Sequence, residues 1–142
     1  MTKEQKVNCK CPKFLIVDDD LTNIKVLKRY VKSINESSEE ALNGQQAIKA
    51  VEEKNRSSCC TSFKIIFMDI NMPIMDGVEA TKFLKNQMEK NIYPFSYILA
   101  VTAAQLSENS SDNAFTRVGF DGFFQKPITK KVFMDIISTY YK

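Results

Sequence analysis

The residues of this sequence that could do chemistry lie at the ends of apolar stretches: Asp18, Asp19, Asp69, Thr102 and Lys126. Three carboxylates held close together repel one another, so the pKa of at least one rises unless a cation compensates the charge. Mg²⁺ suits an open cluster of this kind, because it binds a few carboxylate oxygens and keeps several waters. The metal, the hydroxyl and the ammonium could together hold the oxygens of a phosphoryl group in transfer. Asp69 would then be a carboxylate nucleophile that forms an acyl phosphate.

The apolar stretches before these residues predict strands of a parallel sheet. Phe14–Val17 is a continuous apolar run, which is typical of a strand buried on both faces. Similar segments occupy residues 63–68, 97–101 and 120–124. In an open parallel α/β sheet the ligand site lies beyond the carboxyl ends of the strands. We therefore expect residues at the strand ends to meet at one edge of the sheet, although they are far apart in sequence.

Segments with helical spacing alternate with the predicted strands. The apolar positions of the five predicted helices are Ile24, Leu27, Val31 and Ile34; Ala47, Ile48 and Val51; Val78, Thr81, Leu84 and Met88; Ala114, Phe115 and Val118; and Phe133, Ile136, Ile137 and Tyr140. Thr22 or Asn23 is the expected N-cap of the first helix, and Thr129 that of the last. The fourth helix is expected to start near Ser107 and to end at Gly119. This alternation predicts an α/β fold with helices on both faces of the sheet.

The second strand is the weakest part of this assignment. Its expected position, residues 37–42, reads Ser-Ser-Glu-Glu-Ala-Leu. Interior strands of a parallel sheet are near-continuous apolar runs, so a strand this polar is acceptable only at an edge.

The length and composition fit a single globular domain. The chain has 142 residues, of which 44% are hydrophobic and 26% charged, enough for a core of its own. Residues 1–12 are polar and are interpreted as a leader, which leaves residues 13–142 for the domain. No apolar run approaches the roughly 20 residues of a membrane span, and the start lacks the apolar middle of a signal peptide. The sequence therefore predicts a cytoplasmic domain that makes no membrane contact.

The charged residues and the missing histidines limit the partners. The net charge is only +3, and the lysines are scattered among acids instead of forming a stripe that could neutralise phosphates. Nucleic acid is therefore not expected as a direct partner. The sequence contains no histidine, so any phosphohistidine chemistry requires a histidine from another protein.

Four segments resemble one known family. Residues 14–20 read Phe-Leu-Ile-Val-Asp-Asp-Asp, residues 65–77 read Ile-Ile-Phe-Met-Asp-Ile-Asn-Met-Pro-Ile-Met-Asp-Gly, residues 100–103 read Ala-Val-Thr-Ala, and residues 124–127 read Phe-Gln-Lys-Pro. In this order and spacing they closely resemble response-regulator receiver domains, over about residues 13–142. The resemblance implies a flavodoxin-like, doubly wound sheet of five parallel strands in the order 2-1-3-4-5, with five helices. It also implies a signalling domain that catalyses its own phosphorylation and dephosphorylation, alone or within a hybrid histidine kinase.

The resemblance also implies roles for the matching residues. Asp69 would be the phosphorylation site, and Asp18, Asp19, Asp69 and the backbone carbonyl of Asn71 would bind Mg²⁺. The phosphoryl donor would be the phosphohistidine of a histidine phosphotransfer protein or of a histidine kinase.

Three further positions match the family's catalytic and switch residues. Thr102 would bind a phosphoryl oxygen and move toward it, and Lys126 would pair with another oxygen. Phe123 stands at the position of the switch aromatic, which alternates between outward and inward positions. A phenylalanine here is equally consistent with a simple core residue.

Two other functions remain open. Residues 18–22, Asp-Asp-Asp-Leu-Thr, fit the D-x-D-x-T motif of haloacid-dehalogenase-type phosphohydrolases, with Asp18 as nucleophile. Those enzymes need an acidic pair beyond the lysine, and only Asp135 follows Lys126. The other alternative is a non-phosphorylated interaction module that keeps the fold. Asp20, an addition to the family's acidic pair, would deepen the negative potential or cap the first helix.

The four cysteines occur in two tight pairs, Cys9 with Cys11 and Cys59 with Cys60. Ordinary reduced thiols in loops are the simplest interpretation. In the expected strand order both pairs enter neighbouring strands, at the edge opposite the predicted site. A redox or metal-binding thiol cluster at that edge is the competing hypothesis.

Overall fold

The computed structural model describes residues 10–103 and 118–141. In these residues the strands are β1 Phe14–Val17, β2 Ser38–Ala41, β3 Ile65–Asp69, β4 Tyr97–Thr102 and β5 Gly122–Gln125, and the helices are α1 Leu21–Ser33, α2 Gly44–Asn55, α3 Gly77–Glu89 and α4 Lys130–Tyr140. The strands form one sheet in the order β2-β1-β3-β4-β5, and every pairing is parallel. The predicted fold class and strand order are confirmed.

Four of the five predicted helices are present in the described part of the chain. The fourth predicted helix, expected from near Ser107 to Gly119, lies mostly in residues 104–117, which are outside the described residues. No helix among the described residues is long and apolar enough to span a membrane.

Alternating strand residues pack into two apolar layers, one on each face of the sheet. Leu15 and Val17 of β1 face α2 and α3, together with Ala47, Val51, Ala80 and Leu84 of those helices. Phe14 and Ile16 face the other layer, which contains Ile24, Leu27 and Val31 of α1 and Phe133 and Ile136 of α4. Both faces of the central strands are buried, which explains why their sequences are continuous apolar runs.

The polar second strand lies at the edge of the sheet, as its sequence predicts. Within residues 10–103 and 118–141 it pairs only with β1, in the register Phe14 opposite Ser38. Ala41 is its buried apolar residue, whereas Glu40 is exposed and pairs with Lys28 at 3.1 Å.

The N-cap of α1 is Asp20. The prediction of Thr22 or Asn23 is wrong, and the alternative interpretation of Asp20 as the cap is confirmed. The Asp20 side chain accepts a hydrogen bond of 2.9 Å from the backbone N–H of Thr22, which is the usual capping geometry. Because Asp20 is the last residue of the acidic triplet, the helix begins directly behind the predicted site. Thr129 caps α4 as predicted, accepting from Val132 N–H at 3.2 Å.

Candidate functional site

The carboxyl ends of four of the five strands carry the predicted site residues. Asp18 directly follows β1, Asp69 ends β3, Thr102 ends β4, and Lys126 directly follows β5. The parallel register places Asp69 beside Val101, one residue before Thr102. The backbone N–H of Lys126 then donates to the carbonyl of Thr102 at 2.7 Å. Residues from four separate strands therefore meet at one edge of the sheet.

Three carboxylates form a tight cluster at this edge. Asp18, Asp19 and Asp69 each offer an oxygen, and these oxygens all lie within 4.8 Å of one another. Asp18 and Asp69 are 4% and 5% exposed, whereas Asp19 is open to solvent. Asp18 also accepts a hydrogen bond of 2.9 Å from the backbone N–H of Asp20, which fixes its orientation. The geometry suits a hard divalent cation that keeps part of its water shell on the exposed side.

Lys126 bridges two of these carboxylates. Its Nζ lies 2.8 Å from Oδ2 of Asp18 and 3.1 Å from Oδ1 of Asp69. The peptide bond between Lys126 and Pro127 is cis. One ammonium therefore neutralises part of the negative charge, and the remaining charge is left for another cation.

The pKa values of Asp69 and Lys126 indicate that Lys126 compensates only part of the negative charge of the carboxylate cluster. Burial and then the nearby charge of Asp18 raise the pKa of Asp69 to about 6, although Lys126 acts in the opposite direction. Burial lowers the pKa of Lys126, but its hydrogen bond to Asp18 and the charge of Asp69 outweigh burial and raise that pKa overall. Lys126 is therefore a stable cation, and Asp69 is a carboxylate whose negative charge calls for a further positive partner.

The loop after β3 is held close to Asp69. The backbone N–H of Gly77 donates to the carbonyl of Ile70 at 2.8 Å, and a Cβ at Gly77 would overlap the backbone carbonyl of Asp69. Asp76 caps α3 by accepting from Glu79 N–H at 2.8 Å. Asn71 lies in this short loop, two residues beyond Asp69, with an exposed side chain. Only glycine fits at position 77, which explains part of the Met-Asp-Gly motif.

Thr102 and Phe123 lie on neighbouring strands. Thr102 is 1% exposed, and Phe123 pairs in register with Ala100 of the same strand, β4. The Phe123 ring is half-buried, packs against the core layer under α2 and α3, and contacts the Phe120 ring at a centroid distance of 5.7 Å.

Sequence reasoning missed one ion pair that supports the site. Asp121, just before β5, accepts from Lys85 Nζ at 2.6 Å and from the backbone N–H of Ile98 at 2.8 Å. Lys85 also donates to the carbonyl of Ser96 at 3.1 Å. These bonds tie α3 and β4 to the start of β5, the strand that leads to Lys126. A charged residue among aromatic ones at positions 120–124 was the signal available in the sequence.

Comparison with known proteins identifies the family. Residues 14–138 match the family described as response regulator receiver domain, and the chain belongs to that family. It is 32% identical over 126 residues to hybrid signal transduction histidine kinase A of Dictyostelium discoideum, an alignment that covers 89% of this chain and 6% of that protein. The chain thus spans only a small part of the length of this relative.

Two solved structures share the fold. The receiver domain of Saccharomyces cerevisiae Ssk1, crystallised with the histidine phosphotransfer signaling protein Ypd1, has a TM-score of 0.76 at 24% identity and covers 91% of this chain and 88% of that chain. The receiver domain of the histidine kinase CKI1 from Arabidopsis thaliana, complexed with Mg²⁺, has a TM-score of 0.72 at 28% identity, with 90% of each chain covered.

Proposed function

We propose that Asp69 accepts a phosphoryl group from the phosphohistidine of a partner protein, in a reaction that depends on Mg²⁺. The observation that carries this proposal is the convergence of Asp18, Asp19 and Asp69 within 4.8 Å, with Lys126 3.1 Å from Asp69. The chain belongs to the receiver family. Within this chain, we assign residues 13–142 to the receiver domain and residues 1–12 to a leader.

The carboxylate cluster fits the implied metal. Asp18, Asp19 and Asp69 would bind Mg²⁺ with the backbone carbonyl of Asn71. Burial and uncompensated negative charge raise the pKa of Asp69, which supports a cation at this position. The ion would neutralise charge on the phosphoryl oxygens and lower the repulsion between donor phosphate and acceptor carboxylate. The Mg²⁺ complex named for the CKI1 receiver also supports this assignment.

The residues of the chain itself supply the nucleophile and two contacts to the phosphoryl group. A carboxylate oxygen of Asp69 forms the new P–O bond while the P–N bond of the phosphohistidine breaks, and the electron pair of that bond stays on the imidazole nitrogen. Lys126 pairs with one phosphoryl oxygen, and the hydroxyl of Thr102 donates to another. Water later attacks phosphorus, which releases inorganic phosphate and restores the Asp69 carboxylate.

The donor is a histidine phosphotransfer protein or a histidine kinase. The sequence has no histidine, so the phosphohistidine must come from another chain or another domain. The similarity to a receiver domain crystallised with Ypd1 supports a phosphotransfer protein as the partner class.

Phosphorylation of Asp69 changes the positions of the Thr102 and Phe123 side chains. Movement of the Thr102 hydroxyl toward the phosphoryl group leaves space at the end of β4, and the half-buried Phe123 ring moves inward to fill it. The consequence is a shift of population between two packings of β5 and its neighbours.

The haloacid-dehalogenase-type alternative is less well supported. That mechanism needs the side chain of Asp20 near the substrate, whereas Asp20 caps α1 by accepting from Thr22. Those enzymes also need an acidic pair beyond the lysine, and Asp135 is the one acidic residue after Lys126.

Phosphotransfer from a labelled histidine phosphotransfer protein tests the proposal. The wild-type chain is expected to take up label only with Mg²⁺, and Asp69→Asn is expected to take up none. Asp135→Asn, an exposed aspartate of α4, is the matched control and should behave as wild type. Equal labelling of Asp69→Asn and wild type would overturn the assignment, and failure of labelling with any donor would favour a passive interaction module.

A further inference from the structure

A cluster of cysteine sulfurs lies at the end of the sheet opposite the carboxylates. Cys11 precedes β1, and Cys59 and Cys60 precede β3. Their Sγ atoms all lie within 4.8 Å of one another. We propose that Cys11, Cys59 and Cys60, when reduced, bind a thiophilic metal ion of the Zn²⁺ class at this end of the sheet.

The distance between two of the sulfurs matches that of a tetrahedral thiolate site, and the third sulfur lies within 4.8 Å of both. With a Zn–S bond of about 2.3 Å, two sulfurs of a tetrahedron lie about 3.8 Å apart. The Sγ atoms of Cys59 and Cys60 are 3.9 Å apart, so these ligands need little movement to bind one ion. A water molecule or another donor would complete the tetrahedron. Soft thiolates select Zn²⁺ or Cu⁺ over Mg²⁺, which makes this site chemically distinct from the carboxylate cluster.

Hydrogen bonds hold the two cysteine-bearing segments in place. Lys54 Nζ donates to the carbonyl of Pro12 at 2.6 Å, and the backbone N–H of Lys64 donates to the carbonyl of Lys13 at 2.7 Å. On the other segment, Cys59 N–H donates to Ser57 Oγ at 3.3 Å. The pairing of β1 with β3 therefore brings the sulfurs together before any metal binds, which reduces the entropy that binding must overcome.

A cation lies beside the sulfurs, although burial and then the neighbouring Cys11 raise the pKa of the Cys60 thiol overall. Three thiolates and one Zn²⁺ carry a net negative charge, which a nearby cation would offset. Lys54 is 7% exposed and lines the same groove as Cys11, a groove of about 290 Å³. Its ammonium also pairs with Glu39 at 3.6 Å, which compensates part of its charge.

Binding at this site depends on the redox state of Cys59. Cys59 is disulfide-bonded in the structure, whereas Cys11 and Cys60 are thiols. A disulfide sulfur is not a thiolate ligand, so a reductant must first supply two electrons and two protons to convert the disulfide into two thiols. Each thiol that then binds the metal releases its proton to water. The simple expectation of reduced thiols therefore differs from the structure at Cys59.

Metal titration of the full chain tests this proposal. The protein is reduced with a phosphine, freed of excess reductant without air, and titrated with Co²⁺ and then Zn²⁺. We expect an equimolar amount of Co²⁺ to give thiolate-to-cobalt charge-transfer absorption that Zn²⁺ removes, and the disulfide form to give none. Absence of that absorption from the reduced chain would overturn the proposal.

Variants separate this site from the rest of the protein. Cys60→Ser and Cys11→Ser should each weaken Zn²⁺ binding by at least about tenfold, whereas Ser58→Ala, at an exposed neighbour, should not. Asp69→Asn should keep full Zn²⁺ affinity, because the carboxylates lie at the other end of the sheet. Cooperative thermal unfolding of the cysteine variants, at a Tm close to that of the reduced wild-type chain, reports that they are folded. Unchanged Zn²⁺ affinity in either folded cysteine variant would contradict the assignment.

Discussion

The ammonium of Lys126 lies 3.1 Å from Oδ1 of Asp69, although the two residues lie at the ends of strands that are not neighbours in the sheet. Both side chains are largely buried, at 16% and 6% exposed, so water and salt screen their interaction only weakly. The pair joins the proposed acceptor of the phosphoryl group to the cation that would hold one of its oxygens.

Replacement of Lys126 by methionine should slow phosphorylation. The methionine keeps most of the apolar stem but removes the charge, and loss of one such stabilising group typically costs about 10²–10³ in rate. The measurement is the initial rate of phosphorylation by acetyl phosphate and Mg²⁺, followed by intact mass. Lys131→Met, at an exposed position of α4, is the matched control. A Lys126→Met rate within about twofold of the control would show that the ammonium has no role in the transfer.

The stability of the metal-free protein should depend on the protonation of Asp69. The pKa of this carboxyl is raised to about 6 in the folded chain, from 3.8, so the folded form binds the proton more tightly than the unfolded form. The contribution of the Asp69 carboxyl to the free energy of unfolding is therefore most favourable below the unfolded pKa of 3.8, and it is lost as the pH rises through about 6. The free energy of unfolding should fall by at most about 3 kcal/mol over this window because of Asp69.

Urea unfolding in EDTA across this pH range measures the effect. Asp69→Asn has no charge to bury, so its stability should lack this component and should exceed that of wild type at neutral pH. Asp135→Asn controls for the loss of one negative charge. Parallel pH profiles for wild type and Asp69→Asn would rule out a raised pKa at Asp69.

Mg²⁺ should stabilise the wild-type chain at neutral pH. A ligand that binds only the folded form raises its stability with concentration, and here it also relieves the repulsion among Asp18, Asp19 and Asp69. Thermal unfolding with Mg²⁺ and with EDTA is the measurement. Asp19→Asn, which removes the exposed carboxylate, should reduce the Mg²⁺-dependent rise in Tm, whereas Asp135→Asn should preserve it. An equal rise in Asp19→Asn and wild type would place the bound ion elsewhere.

Gly77→Ala should destabilise the fold and disturb the site together. The new Cβ would overlap the backbone carbonyl of Asp69, so the end of β3 or the start of α3 must shift, at a cost of about 1–3 kcal/mol. Lys82→Ala, at an exposed position of the same helix, is the control. Urea unfolding and the rate of phosphorylation are measured on both variants, and a Gly77→Ala protein equal to the control in both would contradict the close packing described here.

Much of the fold follows from local sequence. Phe14–Val17 and the segment before Asp69 are buried on both faces, as continuous apolar runs of this length indicate for interior strands of a parallel sheet. The polarity of β2 correctly indicated its edge position. The catalytic candidates follow from the same logic, since parallel strands bring their carboxyl ends to one edge.

The remaining features depend on contacts between distant segments. The sequence left the cap of α1 open between Asp20 and the later Thr22 or Asn23, because all three residue types satisfy the capping preference and only the backbone direction after β1 selects among them. The bond between Lys85 and Asp121 joins residues 36 positions apart, so the local pattern around Asp121 marks that residue as unusual but does not identify its partner. Strand order predicts that the cysteine pairs lie near each other, whereas no sequence pattern predicts the disulfide at Cys59.

Chemical trapping of the phosphorylated residue tests the central claim most directly. Borohydride reduces an aspartyl phosphate to homoserine, and tandem mass spectrometry of the peptides then locates the reduced position after incubation with acetyl phosphate and Mg²⁺. We predict homoserine at position 69 and at no other aspartate. Homoserine at position 18, or a phosphorylated chain with Asp69 unmodified, would contradict the account.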